Sequence, residues 1–190
     1  MTPRLPAVSE TLNSPHHRAS AALTKHGFPP GYRFVPSILE IIRLLADRLR
    51  GRPLLPPVAT IFHDIRILDY HPQELYEQYK AYQEAGCIYF FSQQEFLPLA
   101  DGDGKKRRPV RTAKGGAWKP SGGAKNLKSA DVAGKTVTMV FYERWRVGAV
   151  EKLFKTNWGL HEFTVLLGPN NKFSKLAVYR LYKVKNGAAK

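Results

Sequence analysis

Apolar residues change their spacing partway along the chain. Isoleucine and leucine recur at Ile38, Ile41, Ile42, Leu45 and Leu49, three or four residues apart, which is the period of a single buried helical stripe. Ser37 and Glu40 form a capping-box pair and Gly51 supplies a stop, so the spacing predicts a helix over 38–50 with Arg43, Asp47, Arg48 and Arg50 facing water. Pro53, Pro56 and Pro57 impose an irregular link. Pro72 then opens a second predicted helix over 72–83, packing through Leu75, Tyr76, Tyr79 and Tyr82. From Cys87 onward the period falls to two: residues 87–92 are a short apolar strand, and 135–142, 158–167 and 176–184 alternate. No crossover helix lies between these strands, so antiparallel pairing is expected. Helices followed by a sheet belong to the α+β class.

Charge follows the same division. Residues 1–95 carry 10 Lys+Arg against 9 Asp+Glu, while residues 96–190 carry 20 against 6, so +14 of the net +15 lies in the second half. The densest part is KKRRPVRTAKGGAWKPSGGAKNLK at 105–128, between two strand-like segments. One strongly positive face suits a polyanion, and DNA or RNA is the abundant one. An anionic membrane is excluded as the main partner because this stretch lacks the apolar stripe of an amphipathic membrane helix. A solvated lysine-rich loop is the bland alternative.

Length and composition suit one folded domain: 190 residues, 43% hydrophobic and 12% aromatic. Residues 1–26, rich in Pro, Ser, Ala and His, read as a flexible tail, 27–185 as the domain and 186–190 as a short C-terminal tail. No run of 18 apolar residues and no apolar leader core occur, which predicts an intracellular chain. Cys87, in an apolar run, reads as a buried structural thiol. No cofactor is expected. His16 and His17 lack the companions of a metal site. Gly134-Lys135-Thr136 resembles the end of a phosphate loop, but the glycine needed five residues earlier is Ser129. Asp101 opens a calcium-like run, yet Thr112 stands where its glutamate belongs. His161-Glu162 lacks a second histidine, and no nucleophile elbow is present, so no enzymatic activity is predicted.

Six blocks, in order, carry a resemblance. FPPGYRFVPS at 28–37 resembles the LPPGFRFHPTDEEL opening of the plant NAC domain, and IYFFS at 88–92 resembles its WYFFS strand. Arg111 with GAWKPSGGAK at 116–125 resembles NR…GYWKATGKDK, and VFY at 140–142 matches LVFY. KTNWGLHEF at 155–163 resembles KTDWVMHEY, and VYRLYK at 178–183 resembles VLCRVYK. The resemblance covers nearly all of 27–184.

That resemblance implies a nuclear transcription factor binding double-stranded DNA, with a twisted antiparallel sheet packed by a few helices. In the family an edge strand enters the major groove. By position, Trp118, Lys119, Ser121, Gly122 and Lys125 fall on that strand, with Arg111 and Lys114 just before it and Lys155 in the neighbouring block. A ribbon of small residues flanked by lysines suits a major groove, and an edge strand tolerates Pro120. Trp118 either pins the strand or stacks on bases, and Trp145 and Trp158 read as core. The run Lys105–Arg108 is a loop, a phosphate clamp through Arg108, or an import signal. The resemblance also implies a homodimer, or a heterodimer with related NAC proteins, through Arg33 and Glu40, although Glu40 is also the capping acid.

Departures accompany the likeness. Ile38-Leu39-Glu40-Ile41 replaces DEEL, Val35 the family histidine, His71–Leu75 the PWDLP block, Pro120-Ser121 an Ala-Thr pair, and Ala124 an acidic residue. These put the dimer contacts and a CGT-type base preference in question. Family members usually continue into a long activation region after the last block, whereas this sequence ends at Lys190. The rival expectation is therefore a dimerisation module that modulates full-length relatives. A structural RNA-associated role is a third, without an RNP-type aromatic motif to favour it.

Overall fold

The computed structural model describes residues 23–98, 108–168 and 172–184. The expectations for residues 1–22, for Asp101 to Arg107 and for the tail from 185 lie outside the described residues. The first helix, α1 (Ile38–Leu49), forms as expected. Ser37 Oγ accepts the Glu40 N–H at 3.3 Å, and Glu40 Oε2 accepts the Ser37 N–H at 2.7 Å. Ile41, Ile42 and Leu45 are wholly buried, each contributing about 1.5–3 kcal/mol. Leu49, expected in that stripe, is 36% exposed.

The second helix, α2 (Pro72–Tyr79), is shorter than expected and passes into one 3-10 turn at Lys80–Tyr82. His71 caps it through a side chain that accepts the Gln73 N–H, and Glu74 closes the box on the His71 N–H. Leu75 is buried and Tyr76 and Tyr79 are half-buried, whereas Tyr82 is 42% exposed.

Among the described residues nine strands form the sheet: β1 (Phe62–Asp64), β2 (Cys87–Gln93), β3 (Thr112–Ala113), β4 (Gly116–Pro120), β5 (Lys125–Lys128), β6 (Ala133–Val147), β7 (Val150–Leu167), β8 (Lys172–Phe173) and β9 (Leu176–Lys183). Their order is β1-β2-β9-β7-β6-β4-β3, with β5 on β6 and β8 on β7. The sheet is mixed: all pairs are antiparallel except β1 on β2, which is parallel because the chain between them crosses through α2. The α+β expectation holds. Strands β6 and β7 reach 15 and 18 residues, far beyond the alternating segments, since ERWRV and VEKLF pair with each other.

Each face of the sheet carries a core. On one, α1 packs with Phe34, Phe62, Tyr89, Phe91, Phe163 and Val178. On the other, Ile67 and Leu75 pack with Phe90, Trp118, Phe141, Trp158 and Leu181. Trp158 is core as expected, but Trp145 is 55% exposed, on the part of β6 that runs beyond its pairing with β4. Cys87 is only half-buried, and burial pushes its thiol pKa up. His26 is 5% exposed, with Nδ1 3.0 Å from Thr60 Oγ1, and the Phe28 N–H bonds Thr24 Oγ1 at 3.0 Å.

Candidate nucleic-acid interface

Strands β4 and β5 are two pieces of one sheet edge. β4 pairs with β6 as far as Pro120 opposite Met139, and β5 resumes on the same strand at Lys125 opposite Thr136. Residues 121–124 thus stand opposite only Val137 and Thr138. Surplus chain on one strand must leave the ladder, as in a bulge. The Ser121 N–H still reaches the Thr138 carbonyl at 2.8 Å, but Gly122 turns at φ +97°, with no atom within 4 Å of where a Cβ would stand. Every residue from Lys119 to Asn126 is exposed, and β3 covers the outer edge only at Gly116 and Ala117. A backbone excursion of small residues is therefore presented to solvent between Lys119 and Lys125.

Three lysines expected at the site share one face. Lys119 Nζ lies 4.4 Å from the Tyr142 ring centre, and Tyr142 is the cross-strand partner of Lys155. Lys125 is paired with Thr136, an even number of residues from Tyr142 and hence on the same side of β6. Deeper on this face His161 stacks on Tyr182 at 4.7 Å, with Arg180 Nη2 3.3 Å from its Nδ1. Burial, then the nearby charges of Arg180 and Lys125, bring the His161 pKa down to about 4. The ring is neutral at neutral pH, and cations dominate the local field. Arg180 escaped sequence reasoning, although it is the only cation inside the apolar run of β9, in phase with His161 opposite.

Arg111 and Lys114 are turned to the other face. The Arg111 guanidinium donates to Glu162 Oε1 at 3.4 Å and to the Met139 sulfur, with its side chain 21% and that of Glu162 4% exposed. Tyr179 Oη also donates to Glu162, and burial first, then this carboxylate, raise the tyrosine pKa well above its usual value. Lys114 Nζ bonds Glu74 of α2 at 2.7 Å. Trp118 is 2% exposed and packs on Phe141 at 5.1 Å, which corrects the idea that its indole meets a ligand: an edge-strand ring pointing inward has no access. Arg108 is exposed beside the Phe96–Pro109 bridge, at the β3 margin.

A second feature lies behind α1. Arg33 and Glu40 line one hollow of about 320 Å³ together with Tyr32 and Val35, which are 48% and 68% exposed. One Glu40 carboxylate oxygen accepts the Ser37 N–H, and hydrogen bonding from the Ser37 side chain, then from this N–H, holds the carboxyl below its usual pKa. Among the described residues no three His, Cys, Asp or Glu side chains are placed to hold a metal, and no helix is long and apolar enough to cross a membrane.

Comparison with known proteins places this surface in context. The family model described as No apical meristem (NAM) protein matches residues 29–165. NAC domain-containing protein 69 of Arabidopsis thaliana is 28% identical over 162 residues, covering 83% of this chain and 33% of that protein. NAC transcription factor 32 of the same plant is 28% identical over 137 residues, 72% of this chain and 49% of that protein. NAC domain-containing protein 71 of Oryza sativa subsp. japonica is 31% identical over 136 residues, 71% of this chain and 37% of that protein. The chain thus spans between about a third and a half of the length of these curated relatives.

Proposed function

Because this chain belongs to the No apical meristem family of NAC-domain proteins, we propose that it is a sequence-specific DNA-binding regulator of transcription that reads the major groove with the edge between Lys119 and Lys125. The observation that carries the reading is the four-residue excursion with its lysines. Its backbone lacks large side chains, so it can approach base edges, while Lys119 and Lys125 donate to guanine edges or phosphates. Lys155 adds a phosphate contact on the same face, and Arg108 extends the cationic border. Trp118, Arg111 and Lys114 act from beneath: the indole anchors β4, and the two cations tie the preceding segment to Glu162 and Glu74. Ser121 and Gly122 set the shape of the excursion. The work of such a protein is nuclear, and the functional unit is the domain of residues 27–185.

A dimer supports the same reading, because paired half-sites increase specificity. The Glu40 carboxylate and the exposed Arg33 of a second copy, or of a related NAC protein, are complementary across the hollow behind α1. The reading of this chain as a dimerisation module that modulates longer relatives rests on that same hollow and predicts association without base preference.

Fluorescence anisotropy against a CGT-core duplex and a scrambled duplex, at two salt concentrations, separates these readings. A preference for the core duplex that persists at the higher salt is expected. Equal, salt-sensitive affinity for both would reject sequence reading and leave only the charged face.

A further inference from the structure

The hairpin of β6 and β7 runs on past the rest of the sheet. β4 ends against it at Glu143, and β9 ends against it at Trp158. Four more cross-strand pairs continue beyond the Glu143–Phe154 pair, out to Val147 opposite Val150, roughly 13 Å of free two-stranded ribbon at 3.3 Å per residue. Every residue from Arg144 to Lys155 is exposed.

Its side chains are unusual for a solvated ribbon. Trp145, Val147, Val150 and Phe154 are 55%, 64%, 56% and 49% exposed, and alternation with the cross-strand register puts all four on one face. Trp145 and Phe154 meet edge to face at 6.4 Å and wall a hollow of about 380 Å³ at the root of the ribbon. Arg144 is paired with Glu151 at 2.9 Å, whereas Arg146, Lys152 and Lys155 have no carboxylate partner among the described residues. Past Arg144, whose N–H bonds the Gly115 carbonyl, the outer edge of β6 has no strand beside it among the described residues. A contiguous apolar face of this kind, carrying Trp and Phe, with an unpaired arginine on the reverse side, has the composition of a binding surface.

We propose that this ribbon is a docking arm for an extended polypeptide segment that alternates acidic and apolar residues. Such a segment meets all three observations together: apolar side chains on one side of its backbone extend the Trp145–Phe154 face and cover the root hollow, carboxylates on its other side meet Arg146 on the opposite face of the ribbon, and its backbone adds to the open edge of β6. Duplex DNA answers the cations alone, because its apolar surface is reached only by unstacking a base step. A bilayer meets the valine tip and leaves the root hollow empty. The inference stands apart from the DNA-reading edge, which lies on β4 and β5.

Trp145 supplies the readout, since Trp118 and Trp158 are only 2% and 4% exposed. The full chain is titrated with a synthetic peptide alternating glutamate with leucine and valine, and with its lysine counterpart. A saturable blue shift of Trp145 emission is expected with the acidic peptide alone. Phe154→Ser and Arg146→Glu are each expected to weaken binding about tenfold or more, while both variants keep the wild-type melting curve. The proposal is overturned if the acidic peptide gives no shift, or if the lysine peptide shifts Trp145 equally. It is equally overturned if a scrambled duplex or phosphatidylserine vesicles shift Trp145 at lower concentration than the acidic peptide.

Discussion

Replacing Arg111 with alanine distinguishes a residue that touches DNA from one that holds the reading edge in place. Its guanidinium faces Glu162 at 3.4 Å, and the carboxylate side chain is 4% exposed. Removing the cation leaves a buried charge with the Tyr179 hydroxyl, at 3.2 Å, as its remaining hydrogen-bond partner. Breaking a buried ion pair in this way costs about 3–5 kcal/mol. Arg111 itself is 21% exposed and the contact is long, so the lower end, about 3 kcal/mol, is the expected loss. For a domain of this size that lowers the melting temperature by about 6–12 °C. Thermal unfolding followed by circular dichroism measures it. Adding Glu162→Gln to Arg111→Ala removes the stranded charge and keeps a group for Tyr179, and is expected to recover more than half of the loss. In anisotropy titrations at a temperature where both proteins are folded, the salt slope of Arg111→Ala should match wild type. A melting temperature within about 2 °C of wild type, together with a salt slope reduced by about one, would refute the placement and make Arg111 a phosphate contact.

Other substitutions test the exposed face. Lys119→Ala should reduce discrimination between cognate and scrambled duplexes by about 1–3 kcal/mol, whereas Lys155→Ala should weaken both equally and lower the salt slope by about one; equal losses for Lys119→Ala sink its reading role. At Gly122 the backbone sits at φ +97° in open space, so Gly122→Val imposes about 1–3 kcal/mol of local backbone strain and should abolish base discrimination. Gly123→Ala, whose Cβ meets nothing within 4 Å, is the neutral control. Comparable discrimination in both glycine variants would show that the shape of the excursion is irrelevant. The His161 pKa of about 4 lies below its usual 6.5, so the unfolded chain binds the extra proton first. Stability should therefore fall as pH drops from about 6.5 towards 4, by about 1–2 kcal/mol after allowing for the partial exposure of the ring. Urea titrations across this window, compared with His161→Phe, check it: an equally steep loss in the variant assigns the effect to other groups.

Local chemistry was legible where a few neighbouring residues decide it. The capping box of Ser37 and Glu40 acts within four residues, and the stripe of Ile41, Ile42 and Leu45 depends only on helical period, so both could be read directly. Alternation located β6, β7 and β9 for the same reason, a continuous apolar run located β2, and the block order marked the segment 116–125. The cap of α2 was not legible, because His71 is an uncommon capping residue and accepts through an imidazole nitrogen. Nor was the parallel pairing of β1, whose three residues carry no periodicity.

Much of the site belongs to long-range contact. Lys119 and Lys155 are 36 positions apart in number, and only the β4–β6–β7 ladder sets them around Tyr142. The same ladder turns Arg111 inward to Glu162, 51 residues away, although Arg111 and Lys119 look alike in a basic run. A charged residue's identity fixes what it can bind, while its availability depends on which side of the sheet it faces and which carboxylate reaches it. The cap of α1, the strand periodicity, the charge asymmetry and the family blocks could be read from the chain alone, because those follow from neighbouring residues. Only the tertiary structure decided which cations remain free, that residues 121–124 leave the ladder, and that Trp118 is buried while Trp145 is bare. Strand register and layer packing are set by contacts between segments far apart in the chain, and no local pattern encodes them.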